Sequence, residues 1–382
     1  MQLAATWPHT ARSRKEELNR VLAALVPIAY IPSVLNNKTI LDSPILLFLG
    51  AGASAPLGKP MMSQFVDKVS KLLRNDSQSR MMKHLREFRS DDLEEILGEL
   101  DTLISLDYAT TVNGQIQIAG GSTGFSLERG TAQNLRARIK REIIREYRNV
   151  SAEKTVEVYE PLFDVLFERL LPSQCLTIFT TNYDPAIEDF CQQKHEQYAL
   201  CDGFEYDRAS RQSYWSRSAF DNFQLEPNKK NIVLFKLHGS VDWVLVKANQ
   251  KIRRGQAMYD QMDSDAYGNI LIYPATNKIA TEDPFYTGYE YFERCCERAK
   301  VCLAIGYSFR DYDALTRLRG AVSVNDRLHL LLVGPSAGKV LTSVRIPDER
   351  KIPLPFKFGE KPDELGPISE CLTAILGAPK PS

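Results

Sequence analysis

The sequence predicts an α/β fold in which a mostly parallel sheet is flanked by helices. Short apolar runs of strand length alternate along the chain with segments whose apolar residues recur at helical spacing. The first run, Ile45–Leu49, is apolar throughout, as is typical of a parallel strand that is buried on both faces. Several later runs end in glycine, asparagine or proline, which favours a turn out of the strand.

The predicted strands follow residue 44, and most predicted helices fall between the first two strands. The later strands are expected at 176–182, 232–239, 270–274, 301–306 and 328–334. Helical spacing occurs at 63–73, 91–106, 133–147 and 158–171, and a glycine-rich turn at 120–124 interrupts these helices. We predict an N-terminal helical extension (1–43), a Rossmann-like domain (44–336) with a helical insertion at about 61–172, and a C-terminal segment (337–382).

The charges of the chain balance, with 48 Lys and Arg residues against 48 Asp and Glu residues. A dominant electrostatic attraction to nucleic acid or to an anionic membrane is therefore disfavoured, although direct nucleic-acid contact at a local patch stays open. The apolar runs are far shorter than the roughly 20 residues of a transmembrane helix. The N-terminus becomes charged too early for a signal peptide. We expect a cytoplasmic protein without membrane contact.

The cysteines indicate neither disulfides nor zinc. The chain has seven of them, and no two are spaced as C-x-x-C. An odd number without paired spacing is typical of reduced thiols in the cytoplasm. We therefore expect no structural metal.

The turn after the first strand fits the pattern G-x-G-x-x-G/A through Gly50, Gly52 and Ala55. Such glycines let the backbone turn tightly and approach a pyrophosphate group. The same residues could also form an ordinary tight turn into a helix. The stretch does not fit a P-loop, because five residues rather than four separate Gly52 from Gly58.

Polar side chains follow the second predicted strand at the point where it ends. Thr180, Thr181, Asn182 and Asp184 would emerge at the carboxyl edge of the sheet, where open α/β sheets bind ligands. Threonine and asparagine at this position could instead cap the next helix. The sequence therefore predicts either ligand contacts or a helix cap here.

His238 is the histidine whose position favours chemistry. Of the five histidines, it is the one that follows an apolar strand and precedes a glycine. Histidine side chains exchange protons near neutral pH, which suits proton transfer, although a lone histidine of this kind can also be structural. After the strand at 301–306, Gly306 and Ser308 could donate to a phosphate, or Asp311 or Asp313 could cap an ordinary strand–helix connection.

Taken together, these strand ends resemble the sirtuin family. The segments GAGAS (50–54), TTNYD (180–184), LHGS (237–240) and GYSF (306–309) are similar, in the same order, to the sirtuin motifs GAG, T-x-N-x-D, HG and G-x-S. LLVGP (331–335) lies where that family has its last nucleotide-contacting strand end. The resemblance spans roughly 44–336 and implies a sirtuin-like NAD-binding domain.

In detail, the motifs look like the sirtuin-like domains of bacterial anti-phage defence systems, which generally act as NAD+ hydrolases rather than deacylases. The four zinc cysteines expected between the HG and G-x-S motifs are absent, and only the adjacent Cys295 and Cys296 lie there. The acyl-lysine groove motif is also missing at its expected place. A Phe-Gly-Glu triplet at 358–360 lies beyond the last nucleotide motif, and we interpret it as coincidence.

The resemblance implies that NAD+ is the substrate, that no metal takes part, and that the products are nicotinamide and ADP-ribose. By this likeness, Asn182 and His238 are catalytic: Asn182 holds a water or a ribose hydroxyl, and His238 accepts a proton. Asp184 would contact the nicotinamide carboxamide. The expected NAD+-binding residues are Gly50, Ala51, Gly52, Ala53, Ser54, Thr181, Asp184, Gly306 and Ser308.

Two other functions stay open, an NAD-dependent protein deacylase and a non-catalytic module that senses NAD+ or ADP-ribose. The favoured function is an NAD-depleting effector of abortive infection, which would need gating. The resemblance implies a homo-oligomer that works with a HerA-like hexameric ATPase or another defence protein, such as an Argonaute-like one. A basic helix at 136–148 could offer a partner surface or could be a solvated face.

Overall fold

The computed structural model describes residues 37–378, apart from 75–76, 89–91, 110–114, 119–124, 129, 247, 256–266, 270–281 and 361–364. Three predictions therefore lie outside the described residues: the helix of the N-terminal extension, the glycine-rich turn at 120–124 and the strand at 270–274. The extension is described only from Asn37 onwards.

The described residues contain fourteen strands. They are β1 (Ile45–Leu49), β2 (Gln115–Ile118), β3 (Phe125–Glu128), β4 (Leu176–Thr180), β5 (Tyr198–Cys201), β6 (Phe204–Asp207), β7 (Gln212–Trp215), β8 (Lys230–Lys236), β9 (Trp243–Val246), β10 (Lys251–Arg254), β11 (Tyr267–Asn269), β12 (Val301–Ile305), β13 (His329–Val333) and β14 (Lys351–Leu354).

The same residues contain thirteen α-helices. They are α1 (Lys38–Leu41), α2 (Ala51–Ser54), α3 (Met62–Leu72), α4 (Ser77–Phe88), α5 (Leu93–Ala109), α6 (Thr131–Arg148), α7 (Ala152–Phe167), α8 (Ala186–Gln193), α9 (Ser218–Asp221), α10 (Phe285–Cys296), α11 (Tyr312–Val324), α12 (Ala337–Ser343) and α13 (Leu365–Leu376). Short 3-10 turns, Ala55–Leu57 and Asp348–Arg350, join some of them.

A seven-stranded sheet in the order β14-β13-β12-β1-β4-β8-β5 organises the molecule, and its paired strands are parallel. This confirms the predicted α/β fold. The chain leaves β1 towards β4 on one side and leaves β12 towards β13 on the other side. The direction of winding therefore reverses between β1 and β12, the place where open α/β sheets form a crevice.

Helices cover both faces of the sheet, because successive side chains of a strand point to opposite faces. In β1, Leu47 and Leu49 belong to an apolar cluster with residues of α7 and α13. Phe48 points the other way and meets Phe292 of α10, with the two ring centroids 5.2 Å apart. Both faces of β1 are buried, which is why its sequence is apolar throughout and does not alternate between apolar and polar residues.

The helical insertion has an apolar cluster of its own. Residues of α3, α4, α5 and α6 pack together, and Tyr183 and Val241 join this cluster from the loops after β4 and β8. The insertion is therefore fixed next to the carboxyl edge of the main sheet. Its predicted helices are present, but β2 and β3 add an antiparallel hairpin that the sequence did not predict.

Several strands were not predicted. A second, five-stranded sheet has the order β11-β9-β10-β7-β6, with antiparallel pairs. Its strands β6 and β7 are short, polar and partly exposed, so they lack the apolar signal of the main strands. In β14, Pro353 weakened the strand pattern, although proline is tolerated at a sheet edge.

The main sheet includes a strand after residue 336, the predicted end of the Rossmann-like domain, because β14 pairs with β13. This pairing does not define where a domain begins or ends, so the predicted domain boundaries stay predictions. Among the described residues, no helix combines the length and the apolar character that a bilayer crossing requires.

Candidate active site

A cavity of about 560 Å³ opens at the carboxyl ends of β1, β4, β8 and β12. Eight of the eleven residues that the sequence predicted line it: Ala51, Ser54, Thr181, Asn182, Asp184, His238, Gly306 and Ser308. The structure thus brings Asn182 and His238 to one cavity from two different strand ends. Gly50, Gly52 and Ala53 are not among the residues that line it.

The glycines of the first turn serve a contact between two loops. The Gly52 N–H donates to the Gly306 carbonyl oxygen at 3.0 Å. A Cβ on Gly52 would lie 2.6 Å from Gly306 Cα, and a Cβ on Gly306, whose φ is +62°, would lie 2.3 Å from Gly52 Cα. Only residues without a Cβ allow this approach. The turn continues into α2, which has four residues and is too short to offer the helix N-terminus typical of dinucleotide-binding folds.

Among the described residues, hydrogen bonds occupy the donor atom of Asn182 and leave its acceptor atom without a partner. Its Nδ2 donates to the Gly50 carbonyl oxygen at 2.9 Å and to Ser54 Oγ at 2.9 Å. A carbonyl oxygen can only accept, so this contact fixes the orientation of the amide. The Asn182 Oδ1 atom has no hydrogen-bond partner among the described residues, and it can accept an O–H from a bound water or hydroxyl.

Ser54 links Asn182 to Asp184. The Ser54 hydroxyl accepts from Asn182 and donates to Asp184 Oδ2 at 2.7 Å. The other carboxylate oxygen, Oδ1, accepts the N–H of Ala186 at 3.2 Å, at the first turn of α8. The predicted cap by threonine or asparagine is not formed, because the N-cap residue of α8 is Pro185 and no side chain caps this helix. Because a carboxylate oxygen has two lone pairs, the bonds to Ser54 and Ala186 leave Asp184 able to contact a ligand as well.

His238 is paired with an acid. Its Nε2 atom lies 2.9 Å from Asp311 Oδ2, and the pair is almost fully buried, with 5% and 8% of the two side chains exposed. The Tyr289 hydroxyl donates to the same carboxylate oxygen at 2.7 Å. The Asp311 Oδ1 atom accepts the N–H groups of Asp313 and Ala314, which confirms the predicted cap of α11.

The sequence interpretation missed that Asp311 also reaches His238. The two residues are 73 positions apart, so no local spacing reveals the pair. One signal was available: Asp311 follows β12 at the same sheet edge as the end of β8. Tyr289 carried no such signal, because it lies inside α10 and is 3% exposed.

The insertion closes one side of the cavity. Met61, Met62, Asp92 and Tyr147 line it from that side. Asp92, the residue directly before α5, lies 2.8 Å from the guanidinium of Arg310, which belongs to the turn after β12. An ion pair thus joins the insertion to the main sheet at the cavity wall.

A buried ion pair between Lys236 and Glu188 contacts the loop after β4. The Lys236 ammonium donates to the Asp184 carbonyl oxygen and lies 3.2 Å from Glu188 Oε1. Burial raises the pKa of Glu188 to about 7, although the charge of Lys236 acts in the opposite direction. Lys236 therefore holds the backbone of Asp184 in place.

Cys295 and Cys296 lie inside α10 as buried free thiols, and burial raises the pKa of both well above the ordinary value. Within the part of the chain that the structure describes, no group of three or more His, Cys, Asp or Glu side chains could hold a metal ion. Phe358, from the Phe-Gly-Glu triplet, is 6% exposed and packs against Tyr159 in the core.

Comparison with known proteins gives the following matches. No curated protein matches the sequence. A crystal structure of a Sir2 homolog–NAD complex is 14% identical, with a TM-score of 0.42, over 87% of this chain and 92% of that chain. A structure described as Sir2–p53 peptide–NAD+ is 12% identical, with a TM-score of 0.41, over 86% and 92% of the two chains.

A family model described as "SIR2-like domain" matches residues 176–342. The match begins with β4 and ends in α12, so it includes Asn182, His238 and Asp311 but not the first glycine turn. It covers less than half of the chain. Residues 176–342, which carry the two predicted catalytic side chains, are similar to a SIR2-like domain.

Proposed function

We propose that the protein is an NAD+ glycohydrolase, which cleaves NAD+ to nicotinamide and ADP-ribose. The observation that carries this proposal is the shared cavity of Asn182 and His238, each of which has one nitrogen or oxygen acceptor without a partner among the described residues. The motifs and the family match support the proposal, because both concern these same residues.

The cavity suits a ligand of this class in size and position. Its volume of about 560 Å³ lies within the range of about 300–1,000 Å³ that is usual for small-molecule sites. It lies where the direction of winding reverses, between β1 and β12. NAD+ would extend across the strand ends, with its pyrophosphate towards the turns at Ala51 and Gly306 and its nicotinamide towards Asp184.

The chemistry needs one water and one base. The bond between the ribose C1′ and the pyridinium nitrogen breaks, and its electron pair leaves with neutral nicotinamide. The ribosyl group that remains has oxocarbenium character. Asn182 Oδ1 holds the attacking water or a ribose hydroxyl, and the water oxygen bonds to C1′. His238 takes the proton that the water loses, and such a placed base contributes about 10²–10⁴ in rate.

In the cell, we propose that this activity makes the protein an NAD-depleting effector of bacterial anti-phage defence. An ungated hydrolase would exhaust the NAD+ of its own cell, so the activity requires control by assembly. Self-association, a HerA-like hexameric ATPase or another defence protein would supply that control. The site itself supports only the chemistry; the cellular role follows from the resemblance of the motifs.

The experiment replaces the two predicted catalytic side chains. We expect Asn182→Ala and His238→Ala each to abolish nicotinamide release from NAD+, measured by liquid chromatography, while circular dichroism shows that the fold stays intact. His195→Ala and Asn222→Ala are matched controls, because both side chains are exposed and lie outside the cavity. Wild-type turnover in either site variant would remove that residue from the mechanism.

A further inference from the structure

Both oxygens of the Asp311 carboxylate accept hydrogen bonds, and the donors come from the loop after β8, from α10 and from α11. Its Oδ2 atom is 2.9 Å from His238 Nε2 and accepts the hydroxyl of Tyr289 at 2.7 Å. Its Oδ1 atom accepts the N–H groups of Asp313 and Ala314 at 2.9 and 3.3 Å. The carboxylate cannot rotate without breaking several of these bonds.

Asp311 can only accept from the histidine. Burial alone would raise the pKa of Asp311, but the hydrogen bond and charge of His238, with the bonds from Tyr289 and Ala314, lower the pKa below its ordinary value. Burial, and next the charge of Asp311, raise the pKa of Tyr289 well above its ordinary value, so its hydroxyl keeps its proton and donates. The hydrogen of the contact with Asp311 must therefore come from His238 Nε2.

We propose that Asp311 is a positioning residue, which holds His238 in the Nε2–H tautomer and aims its Nδ1 lone pair into the cavity. This inference rests on the proposed NAD+ hydrolysis for its kinetic consequence, but the tautomer is a property of the protein alone. Tyr289 fixes Asp311 in turn. His238 Nδ1, which has no hydrogen-bond partner among the described residues, is then the atom that accepts the proton from water.

The isosteric change Asp311→Asn tests the role. An asparagine keeps an oxygen for the N–H groups that begin α11, so the helix cap survives. Its amide nitrogen, placed towards Nε2, favours the Nδ1–H tautomer, which has no lone pair facing the cavity. We expect kcat for NAD+ to fall by a factor of about 10²–10⁴ and KM to change less than about threefold. The reason is that a histidine in the wrong tautomer slows the chemical step and leaves substrate binding almost unchanged.

Two matched variants separate positioning from packing. Tyr289→Phe removes one donor and keeps the ring, and we expect a smaller loss of kcat, of about three- to tenfold. Asp313→Asn removes a charge from the same turn of α11 but lies outside the cavity, and we expect wild-type kcat. Equal kcat in Asp311→Asn and Asp313→Asn would overturn the proposal.

Nitrogen-15 NMR of the imidazole gives a readout that needs no substrate. At a pH where His238 is neutral, we expect the Nε2–H tautomer in the full-length wild type and a shift towards Nδ1–H in Asp311→Asn. An Nδ1–H tautomer in the wild type, or the same tautomer in both proteins, would overturn the positioning role. If the tautomer shifts but the wild type releases no nicotinamide, the proposed hydrolysis fails and the positioning of His238 stands.

Discussion

Asn182 and His238 reach the cavity as acceptors because their donor atoms are already bound inside the protein. The amide hydrogens of Asn182 go to Gly50 and Ser54, and the Nε2 side of His238 faces Asp311. What remains for a ligand is an oxygen and a nitrogen lone pair. Buried hydrogen bonds thus decide which atoms can react, and pre-organised groups of this kind need little reorganisation during catalysis.

The contact between Gly52 and Gly306 gives a stability prediction at the residue scale. Gly306→Ala places a Cβ 2.3 Å from Gly52 Cα at a φ of +62°, where an L-residue is strained. We expect a loss of about 2–4 kcal/mol in the free energy of unfolding, measured by urea denaturation.

Gly338→Ala is the matched control for that change. Nothing lies within 4 Å of the Cβ position at Gly338, which belongs to α12. We expect a gain of up to about 1 kcal/mol, because glycine is unfavourable in helices. Equal unfolding free energies in the two variants would show that the close approach of the two turns is unimportant.

At the scale of elements, residues that follow the parallel strands line the site, and hydrogen bonds from neighbouring elements keep those residues in place. The loop after β4 is fixed by Ser54 from the first turn and by Lys236 from β8. The helix α8 carries Glu188 and Asp189, whose pKa values are raised to about 7 and about 6, mainly by burial. Since burial outweighs the nearby ammonium, the ionised form of Glu188 is less favourable in the fold than in the unfolded chain.

This burial predicts how stability depends on pH. A raised pKa in the fold means that Glu188 supports folding fully below its unfolded pKa of 4.5 and less as pH rises through about 7. Glu188→Gln mimics the neutral side chain. We expect the variant to be more stable than the wild type by roughly 1–3 kcal/mol at pH 8 in urea unfolding, and by less than about 1 kcal/mol at pH 5, close to the unfolded pKa.

Glu196→Gln is the control for the pH dependence, because Glu196 is 87% exposed. It should leave the difference between pH 5 and pH 8 unchanged. A Glu188→Gln protein that is less stable than the wild type at pH 8 would mean that the ion pair with Lys236 outweighs the burial of the carboxylate.

For the whole molecule, the sequence predicted the strands that are buried on both faces and missed strands that are partly exposed or lie at the edge of a sheet. The strands β1, β4, β8, β12 and β13 were predicted because their side chains are buried on both faces and read as apolar runs. The strands of the second sheet are short and partly exposed, so their residues carry no such pattern. A single sequence contains little information about strands of that kind.

The candidate site was predictable where it depends on strand ends and unpredictable where it depends on packing between distant segments. Asn182 and His238 each follow an apolar strand, and parallel strands end at one edge. Asp92 and Tyr289 reach the site only because the insertion and α10 pack against that edge. Gly50 and Gly52 were correctly placed at the first turn, but in the structure they pack against the loop at Gly306 rather than line the cavity.

The central claim is that this one cavity hydrolyses NAD+ without a second substrate. The most direct measurement incubates the purified full-length protein with NAD+ over a range of protein concentrations, so that self-association is included, and quantifies the products with and without an acylated peptide. We predict equal amounts of nicotinamide and ADP-ribose in the absence of peptide. Nicotinamide release only with the acylated peptide, or tight binding of NAD+ with no turnover, would contradict the account.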